Sequence, residues 1–356
     1  MARGGLQRRV FLLGAGVAVS HVVGCAPAMT QAVPGRAGQP VRAPRGVVPP
    51  PPTEAAVEPE DEEAPTDGPT APDFSLKLPQ RRKGALTGSA FLDRAAGLGR
   101  AGFDDAVYGE IAAGNIPEHQ RRLLPVVVTS DAGRSAKLRV LCDYLAIGSD
   151  DDFIRMPMTS AAAQRIADLT ETMLPTPKLV DEIYKQAVAR LPPSYIDGGP
   201  TEDEIADFLF HHDKLEKNRK NLGFPLGVLT AGDKKDIVLC ERLLQRPDRV
   251  AIYGWHKNDS TVIQPLSTMH SCRYADYSHG VRLIDQRVEI DGELHLLGEM
   301  LRDPELAELV SDEGPLDVVA YPTTLPEYAG PSKKKKKKKS KKTKQPGLAS
   351  GSRGSR

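Results

Sequence analysis

The stretch GVRLIDQRVEIDGELHLL, residues 280–297, decides the predicted fold class. Apolar and polar residues alternate in both of its halves, which is the pattern of a strand with one buried face. Asp291 and Gly292 separate the halves, and this dipeptide is typical of the two-residue turn of a β-hairpin. The segments DRVAIYGWH, residues 248–256, and STVIQPLS, residues 260–267, also have the character of strands. The C-terminal part of the chain is therefore predicted to be mainly antiparallel sheet.

A second hairpin is predicted upstream, in LLPVVVTSDAGRSAKLRVLCDYLAIG, residues 123–148. A β-branched run leads to a turn that contains Asp131 and Gly133, and an alternating run follows. Cys142 lies on the apolar face of that run and is predicted to be a small core residue. Setting Cys25 aside, three cysteines remain in the chain, so at least one thiol is predicted to be free.

Three segments between these two regions carry apolar residues at helical spacing. The first spans residues 159–174. The second follows Thr176, a suitable N-cap, and has Pro177 at its first position. The third opens with the capping box TEDE, in which Thr201 and Glu204 would satisfy free backbone amides reciprocally. Its apolar stripe comprises Ile205, Phe208, Leu209, His212 and Leu215. The predicted fold class is therefore α+β, with a helical middle segment followed by a mainly antiparallel β region.

Composition divides the chain into four regions. Residues 1–24 have the pattern of a signal peptide, and residues 25–78 form a Pro-, Ala- and Glu-rich segment that is predicted to be a disordered linker. Residues 79–330 are long enough for a substantial core and are predicted to form one globular α+β domain. Residues 331–356 form a lysine-rich tail, which is predicted to be disordered because its charges repel one another.

The N-terminus has the features of an export signal. A basic flank precedes an apolar run at residues 10–23, which is too short for a membrane-spanning helix but suits a signal-peptide core. The following VVGC resembles a bacterial lipobox, which implies that Cys25 is lipidated and anchors the mature chain to a membrane. QRRVFLL resembles a twin-arginine signal. Ala26 after the cysteine implies delivery to the outer membrane, on its periplasmic face or at the cell surface.

The C-terminal tail predicts a second means of attachment. It carries ten Lys and two Arg and no acidic residue, whereas the formal net charge of the whole chain is only +1. The lysines between Lys333 and Lys344 are therefore predicted to bind anionic envelope polymers or lipopolysaccharide, in a manner that salt weakens. A solvated tail without a dedicated partner is the alternative. No specific nucleic acid is expected as a partner of an exported chain.

Polar and aromatic residues concentrate between residues 255 and 282, where three of the eight histidines lie beside the only tryptophan. The candidate catalytic residues are His256, His270, Asp276, His279 and Arg282. The candidate substrate-binding residues are Trp255, Gln264, Tyr274, Tyr277 and Ser278. If residues 274–284 formed one regular strand, Tyr274, Asp276, Ser278 and Arg282 would share one face, and His279 would lie on the apolar face.

YSHGVRL, residues 277–283, resembles part of the SHGCxR signature of the L,D-transpeptidases, which crosslink peptidoglycan. That family has an earlier histidine on a strand, and YGWH would supply it here as His256. The resemblance implies a peptidoglycan substrate. The family's nucleophilic cysteine, which follows the glycine, is missing from this sequence. Cys272 is the alternative thiol, and Arg273 or His270 would favour its thiolate form.

Two other chemistries fit the same segment. His256, His270 and Asp276 offer the imidazole and carboxylate ligands that zinc takes in hydrolases, so zinc is a candidate cofactor. Without a metal, Asp276 would serve as a carboxylate, a histidine would carry the proton, and Arg282 would clamp an anionic group. The predicted function is that of an exported envelope lipoprotein, a hydrolase or transpeptidase-like enzyme acting on peptidoglycan or a related glycan. The alternative is a non-catalytic envelope-binding lipoprotein.

Overall fold

A computed structural model describes residues 74–325, all of which belong to one compact unit, Pro69–Arg356. The predicted signal peptide, Cys25, nearly all of the linker and the lysine-rich tail lie outside the described residues. Their assignments therefore remain predictions. Within residues 74–325, no helix combines the length and the apolar character that spanning a membrane requires.

Seven α-helices occur in the described part of the chain. They are α1 Gly88–Ala95, α2 Gly99–Ala112, α3 Ser160–Leu169, α4 Pro177–Gln186, α5 Glu204–Asn221, α6 Leu297–Met300 and α7 Ala307–Val310. The strands are β1 Leu124–Thr129, β2 Ser135–Val140, β3 Ala146–Gly148, β4 Phe153–Arg155, β5 Thr172–Met173, β6 Ala189–Arg190, β7 Thr230–Ala231, β8 Lys235–Ile237, β9 Ile252–His256, β10 Val262–Ser267, β11 His279–Gly280, β12 Ile284–Asp285, β13 Arg287–Ile290 and β14 Glu293–Leu296.

The strands form two larger sheets and two small ones. A six-stranded antiparallel sheet has the order β14-β13-β2-β12-β5, and β1 also pairs with β2. A four-stranded sheet has the order β10-β9-β8-β11, in which only the β8–β11 pair is parallel. Strands β3 and β4 pair antiparallel, and β6 and β7 pair parallel. The α+β class predicted from the sequence is confirmed.

Both predicted hairpins are confirmed. Strands β13 and β14 pair with Ile290 opposite Glu293, and the turn residues Asp291 and Gly292 have φ values of 53° and 85°. Both values lie in the left-handed region that a type I′ turn requires. Strands β1 and β2 pair over their full lengths, and the backbone of Ser130 closes their turn through Arg134.

Helices α3 and α4 begin where the sequence predicts, but α3 ends earlier than expected. The Thr176 hydroxyl accepts a bond from the amide of Leu179 at 3.3 Å, and Pro177 is the first helical residue, as expected. The segment predicted as one helix over residues 159–174 stops at Leu169, because Thr172–Met173 pairs with β12 as a strand. Sheet pairing with a distant segment therefore outweighs local helix propensity at this helix end.

The predicted capping box of α5 is wrong. Asp203 caps this helix by accepting a bond from the amide of Ala206 at 3.0 Å, whereas Thr201 bonds to the side chain of Asp207. The buried face of α5 also differs from the predicted apolar stripe, because Leu209 is 38% exposed while His211 and His212 are both buried. The helix therefore faces the domain interior with polar as well as apolar side chains.

The folded domain starts within the segment that composition assigns to the linker. The Leu76 side chain is buried, and its amide donates to the carbonyl of Arg121 at 2.8 Å. Arg139 and Arg287 both lie over the Phe74 ring, at 4.2 and 4.8 Å from its centroid. Residues 74–78 therefore belong to the domain. The two following helices, α1 and α2, were not anticipated from the sequence.

The three cysteines in the described region are all free and buried: Cys142, Cys240 and Cys272. The prediction of at least one free thiol is confirmed. Burial raises the pKa of Cys142 to about 12, in accordance with its predicted place in the core. Its thiol lies 3.2 Å from the carbonyl oxygen of His119.

Gly280 of β11 packs so closely on Tyr144 that there is no room for a side chain at this position. A substitution here therefore tests the packing beneath β11. A Cβ placed there would lie 2.4 Å from Cδ1 of Tyr144, a ring that is itself buried. Gly280→Ala is expected to lower the free energy of unfolding by about 1–3 kcal/mol through overpacking. Urea denaturation followed by circular dichroism measures this loss.

Gly109→Ala provides the matched control. A Cβ at Gly109 would meet nothing within 4 Å, and the residue lies inside α2. Because alanine favours a helix interior over glycine, this variant is expected to gain about 0.5–1 kcal/mol. Equal stability of the two alanine variants would contradict the close packing of Gly280 on Tyr144.

Candidate active site

The candidate site lies in the loop between β10 and β11, residues 268–278. This loop turns twice, since the amide of Tyr274 donates to the carbonyl of Ser271 and that of His279 donates to the carbonyl of Asp276. The expectation that residues 274–284 form one regular strand, with shared faces, is therefore wrong. The loop is held against the four-stranded sheet where the amide of Lys235 donates to the carbonyl of Ser278 at 2.7 Å.

The turns nevertheless bring three predicted site residues together around Asp276. Its carboxylate accepts bonds from the Tyr274 hydroxyl at 2.8 Å, from the Ser278 amide at 2.8 Å and from the Ser278 hydroxyl at 2.5 Å. Burial alone would raise the pKa of Asp276. The positive charge that His279 carries when it is protonated at acid pH, these donors and Lys235 outweigh burial and hold the pKa well below its ordinary value. Asp276 is therefore an ionised carboxylate at physiological pH.

His279 lies directly behind this carboxylate. It is fully buried, and its Nε2 is 4.0 Å from Oδ1 of Asp276. Burial lowers the pKa of His279 to about 4, although Asp276 acts in the opposite direction. Neither ring nitrogen has a hydrogen-bond partner among the described residues. His279 is thus a neutral imidazole beside a fixed negative charge, in a position where an unsatisfied polar group is costly.

His270 forms the outer layer of the same cluster. Its ring stacks on Tyr274, with centroids 4.2 Å apart and planes 14° from parallel, and it is exposed to solvent. Tyr274 in turn meets His279 edge to face at 5.5 Å. The loop and the first residue of β11 therefore assemble an exposed imidazole, a tyrosine hydroxyl, a carboxylate and a buried imidazole.

The remaining predicted substrate-binding residues have different surroundings. Tyr277 is buried, and its hydroxyl accepts the amide of Ile196 at 3.2 Å. Gln264 lies on β10 and donates to the neighbouring carbonyl of Pro265. Trp255 is 5% exposed and donates its indole N–H to the carbonyl of Asp233 at 3.0 Å. Within residues 74–325, none of these three side chains forms a hydrogen bond with Asp276.

His256 does not join the loop cluster. Its Nε2 donates to Oδ1 of Asp181 at 2.8 Å, and its ring stacks on Tyr184 with centroids 4.3 Å apart. Both partners belong to α4, and the Tyr253 hydroxyl bonds to the second oxygen of Asp181 at 2.9 Å. His256 therefore forms a separate carboxylate–imidazole pair beside the helix.

Arg282 cannot clamp a surface ligand, which corrects the prediction for this residue. It is 1% exposed, and its two terminal nitrogens donate to the carbonyls of Leu141 at 2.8 Å and Thr230 at 2.6 Å. The guanidinium also lies 4.4 Å from the centroid of the Tyr144 ring. Arg282 instead ties β11 and β12 to the centre of the domain.

The proposed zinc ligands are not assembled into a site. His256 contacts α4, whereas His270 and Asp276 lie in the loop, and no group of three His, Cys, Asp or Glu side chains in residues 74–325 is arranged to hold a metal ion. The alternative thiol also lacks the expected activation. Burial raises the pKa of Cys272, which disfavours the thiolate that a nucleophile needs.

A set of buried charges beneath the loop was not predicted from the sequence. Lys234 donates to the carbonyl of Tyr277 at 2.7 Å and lies 3.5 Å from Nδ1 of His211. Burial lowers the pKa of Lys234 to about 8, and it raises the pKa of the neighbouring Asp233 to about 6. The signal for these residues was present in DKKD, residues 233–236, where four charged residues directly precede the apolar run IVLC.

Deeper still, Arg155 joins β4 to the segment between β2 and β3 and to α5. Its guanidinium bonds Asp143 through two nitrogens and Glu216 through one, at 2.6–3.1 Å. His212, which is also buried, places its Nδ1 3.5 Å from a terminal nitrogen of Arg155. The two adjacent histidines of α5, His211 and His212, therefore both belong to the polar interior of the domain. No protein-family model, curated protein or solved structure matches this chain.

Proposed function

We propose that this protein is an exported hydrolase that acts on peptidoglycan or a related glycan of the cell envelope. The observation that carries the proposal is the ionised Asp276 carboxylate. It is held by three donors, with the neutral His279 behind it and the exposed His270 stacked on its tyrosine donor. Clusters of titratable groups whose environments drive their pKa values apart are characteristic of catalytic sites.

Each member of the cluster has a distinct chemical role in this proposal. Because its pKa is so low, Asp276 is a weak base, and its contribution is a fixed negative charge that stabilises positive charge in the transition state. His270 is accessible and exchanges the proton with the substrate, since histidine is the side chain that most often serves in general acid–base catalysis. Tyr274 links the two groups, because its ring supports His270 and its hydroxyl bonds Asp276.

The substrate class is supported by the predicted address of the chain. The lipobox-like VVGC and the basic tail both favour the envelope, where peptidoglycan and anionic glycans are the abundant polymers. The test is digestion of purified peptidoglycan sacculi by the full-length chain, with chromatography of the soluble fragments. Steady release of sugar- or peptide-containing fragments is expected. Failure to release fragments from sacculi or from other purified envelope glycans would reject the enzyme.

A second function, envelope binding without catalysis, is favoured by the charge of the tail. Deletion of residues 331–356 removes ten Lys and two Arg. If the chain is a binding module, the deletion is expected to abolish salt-sensitive co-sedimentation with sacculi or anionic vesicles. If the chain is an enzyme, turnover of soluble fragments should survive the deletion. Measuring sedimentation and turnover on the same two proteins separates the functions.

A further inference from the structure

Lys235 places an ammonium group beside the loop cluster. It opens β8, and its ammonium lies 4.7 Å from the centroid of the Trp255 ring. No carboxylate among residues 74–325 forms an ion pair with it. Asp276 is nevertheless close enough for the two groups to influence each other's pKa. Because the half-buried ammonium makes no direct ion pair with a carboxylate of residues 74–325, it can still pair with an anionic group of a ligand.

Tyr195 provides an exposed aromatic surface against the same indole. Its ring centroid is 4.6 Å from that of Trp255, and the residue is 46% exposed. The backbone around it is fixed, since Lys214 donates to the carbonyl of Tyr195 at 2.7 Å and the amide of Ile196 donates to the Tyr277 hydroxyl. An exposed but positioned aromatic ring offers contact area to a ligand at a low cost in entropy.

Trp255 is held in an unfavourable backbone conformation that fixes its ring against both residues. Its φ is 59°, a value that bulky side chains rarely adopt and that costs about 1–3 kcal/mol. The backbone amide donates to the carbonyl of Lys234 at 3.1 Å, and the indole N–H donates to the carbonyl of Asp233. Strain of this kind is concentrated at functional sites.

We propose that Lys235, Trp255 and Tyr195 form a subsite for a carboxylate-bearing sugar ring, next to Asp276. The ammonium pairs with the carboxylate, and the exposed Tyr195 ring, which packs on the buried Trp255, contacts the apolar face of the sugar. The inference takes its ligand class from the proposed function, since peptidoglycan contains a sugar that carries a carboxylate beside one that does not. It adds a preference between the two sugars, which the loop cluster alone does not provide.

The single tryptophan of the chain reports on this subsite without any need for turnover. The full-length chain is titrated with the disaccharide of N-acetylglucosamine and N-acetylmuramic acid, and separately with chitobiose, its neutral counterpart. The fluorescence of Trp255 should change with the acidic disaccharide, which is expected to bind about tenfold more tightly than chitobiose. Higher salt should reduce this preference because the contact is ionic.

Three variants test which side chains are responsible. Lys235→Met keeps most of the length of the side chain without its charge and should remove the tenfold preference. Tyr195→Ala should weaken the binding of both disaccharides. Lys137→Met is the control, since Lys137 pairs with Glu289 on the other large sheet. Equal affinity for the two disaccharides, or a preference that Lys235→Met leaves unchanged, would overturn the inference. If the chain digests no sacculi but still binds the acidic disaccharide more tightly, the subsite is supported and only the proposed enzyme activity is rejected.

Discussion

Asp276→Asn should lower kcat/KM for release of soluble peptidoglycan fragments by about a thousandfold while the domain remains folded. Loss of a preorganised charge or of an acid–base group typically costs between a hundredfold and ten-thousandfold. Asparagine retains the shape of the side chain and can still accept from the Ser278 amide and hydroxyl. It carries no charge to offer the transition state, however, and its NH2 group cannot accept the bond from the Tyr274 hydroxyl.

Asp291→Asn is the matched control for this variant. Asp291 lies in the β13–β14 turn with φ of 53°, a conformation that asparagine adopts readily, and its side chain is largely exposed. Activity within twofold of the wild type is expected. Circular dichroism and Trp255 fluorescence establish that both variants are folded. A folded Asp276→Asn protein with wild-type kcat/KM would refute the role assigned to this carboxylate.

The sequence predicts those parts of the fold whose causes are local. Asp291-Gly292 marks a hairpin because few dipeptides adopt two successive left-handed conformations. Thr176-Pro177 marks a helix start because threonine caps the first turn and the fixed φ of proline suits the first helical position. The end of α3 was missed because Thr172–Met173 pairs with β12, more than a hundred positions along the chain. No local pattern encodes a pairing at that distance, so helical periodicity alone extends the helix too far.

The sequence predicted part of the site, but the reason it gave for the grouping of these residues is wrong. Tyr274, Asp276 and Ser278 do meet, but through two turns of a loop, not through the period of a strand. The same assumption placed Arg282 on their face, whereas its guanidinium is buried among backbone carbonyls. Lys234 was overlooked because charged residues are seldom fully buried, so a charge run is ordinarily interpreted as a solvated surface.

The buried charges beneath the site carry the largest expected effect on stability. The Arg155 side chain has no exposed surface, and it neutralises Asp143 and Glu216, which lie 12 residues before and 61 residues after it in the chain. These bonds connect β4 to the segment after β2 and to α5. When one partner of a buried ion pair is removed, the remaining charge stays buried without compensation. This lowers stability more than replacing the whole pair with apolar residues does.

Arg155→Met is expected to lower the free energy of unfolding by about 3–5 kcal/mol. Methionine fills much of the same volume but leaves both carboxylates without this cation. Urea denaturation at pH 7, followed by circular dichroism, gives the difference in unfolding free energy. Arg165→Met is the control, because Arg165 pairs with Asp105 at 2.7 Å where the side chains are 33% and 69% exposed. Its loss is expected to cost less than about 1 kcal/mol.

The pH dependence separates lost charge pairing from a simple packing defect. Burial alone would raise the pKa of Glu216, but bonds from Arg219 and Arg155 outweigh burial and lower the pKa from 4.5 to about 2. A carboxylate with a depressed pKa stabilises the fold above its unfolded pKa, and this contribution is lost as the pH falls towards the folded value. The stability gap between wild type and Arg155→Met should therefore narrow between about pH 4.5 and 2. A gap that stays constant over this range would show that Arg155 contributes by packing, because a packing loss is independent of the charge on Glu216.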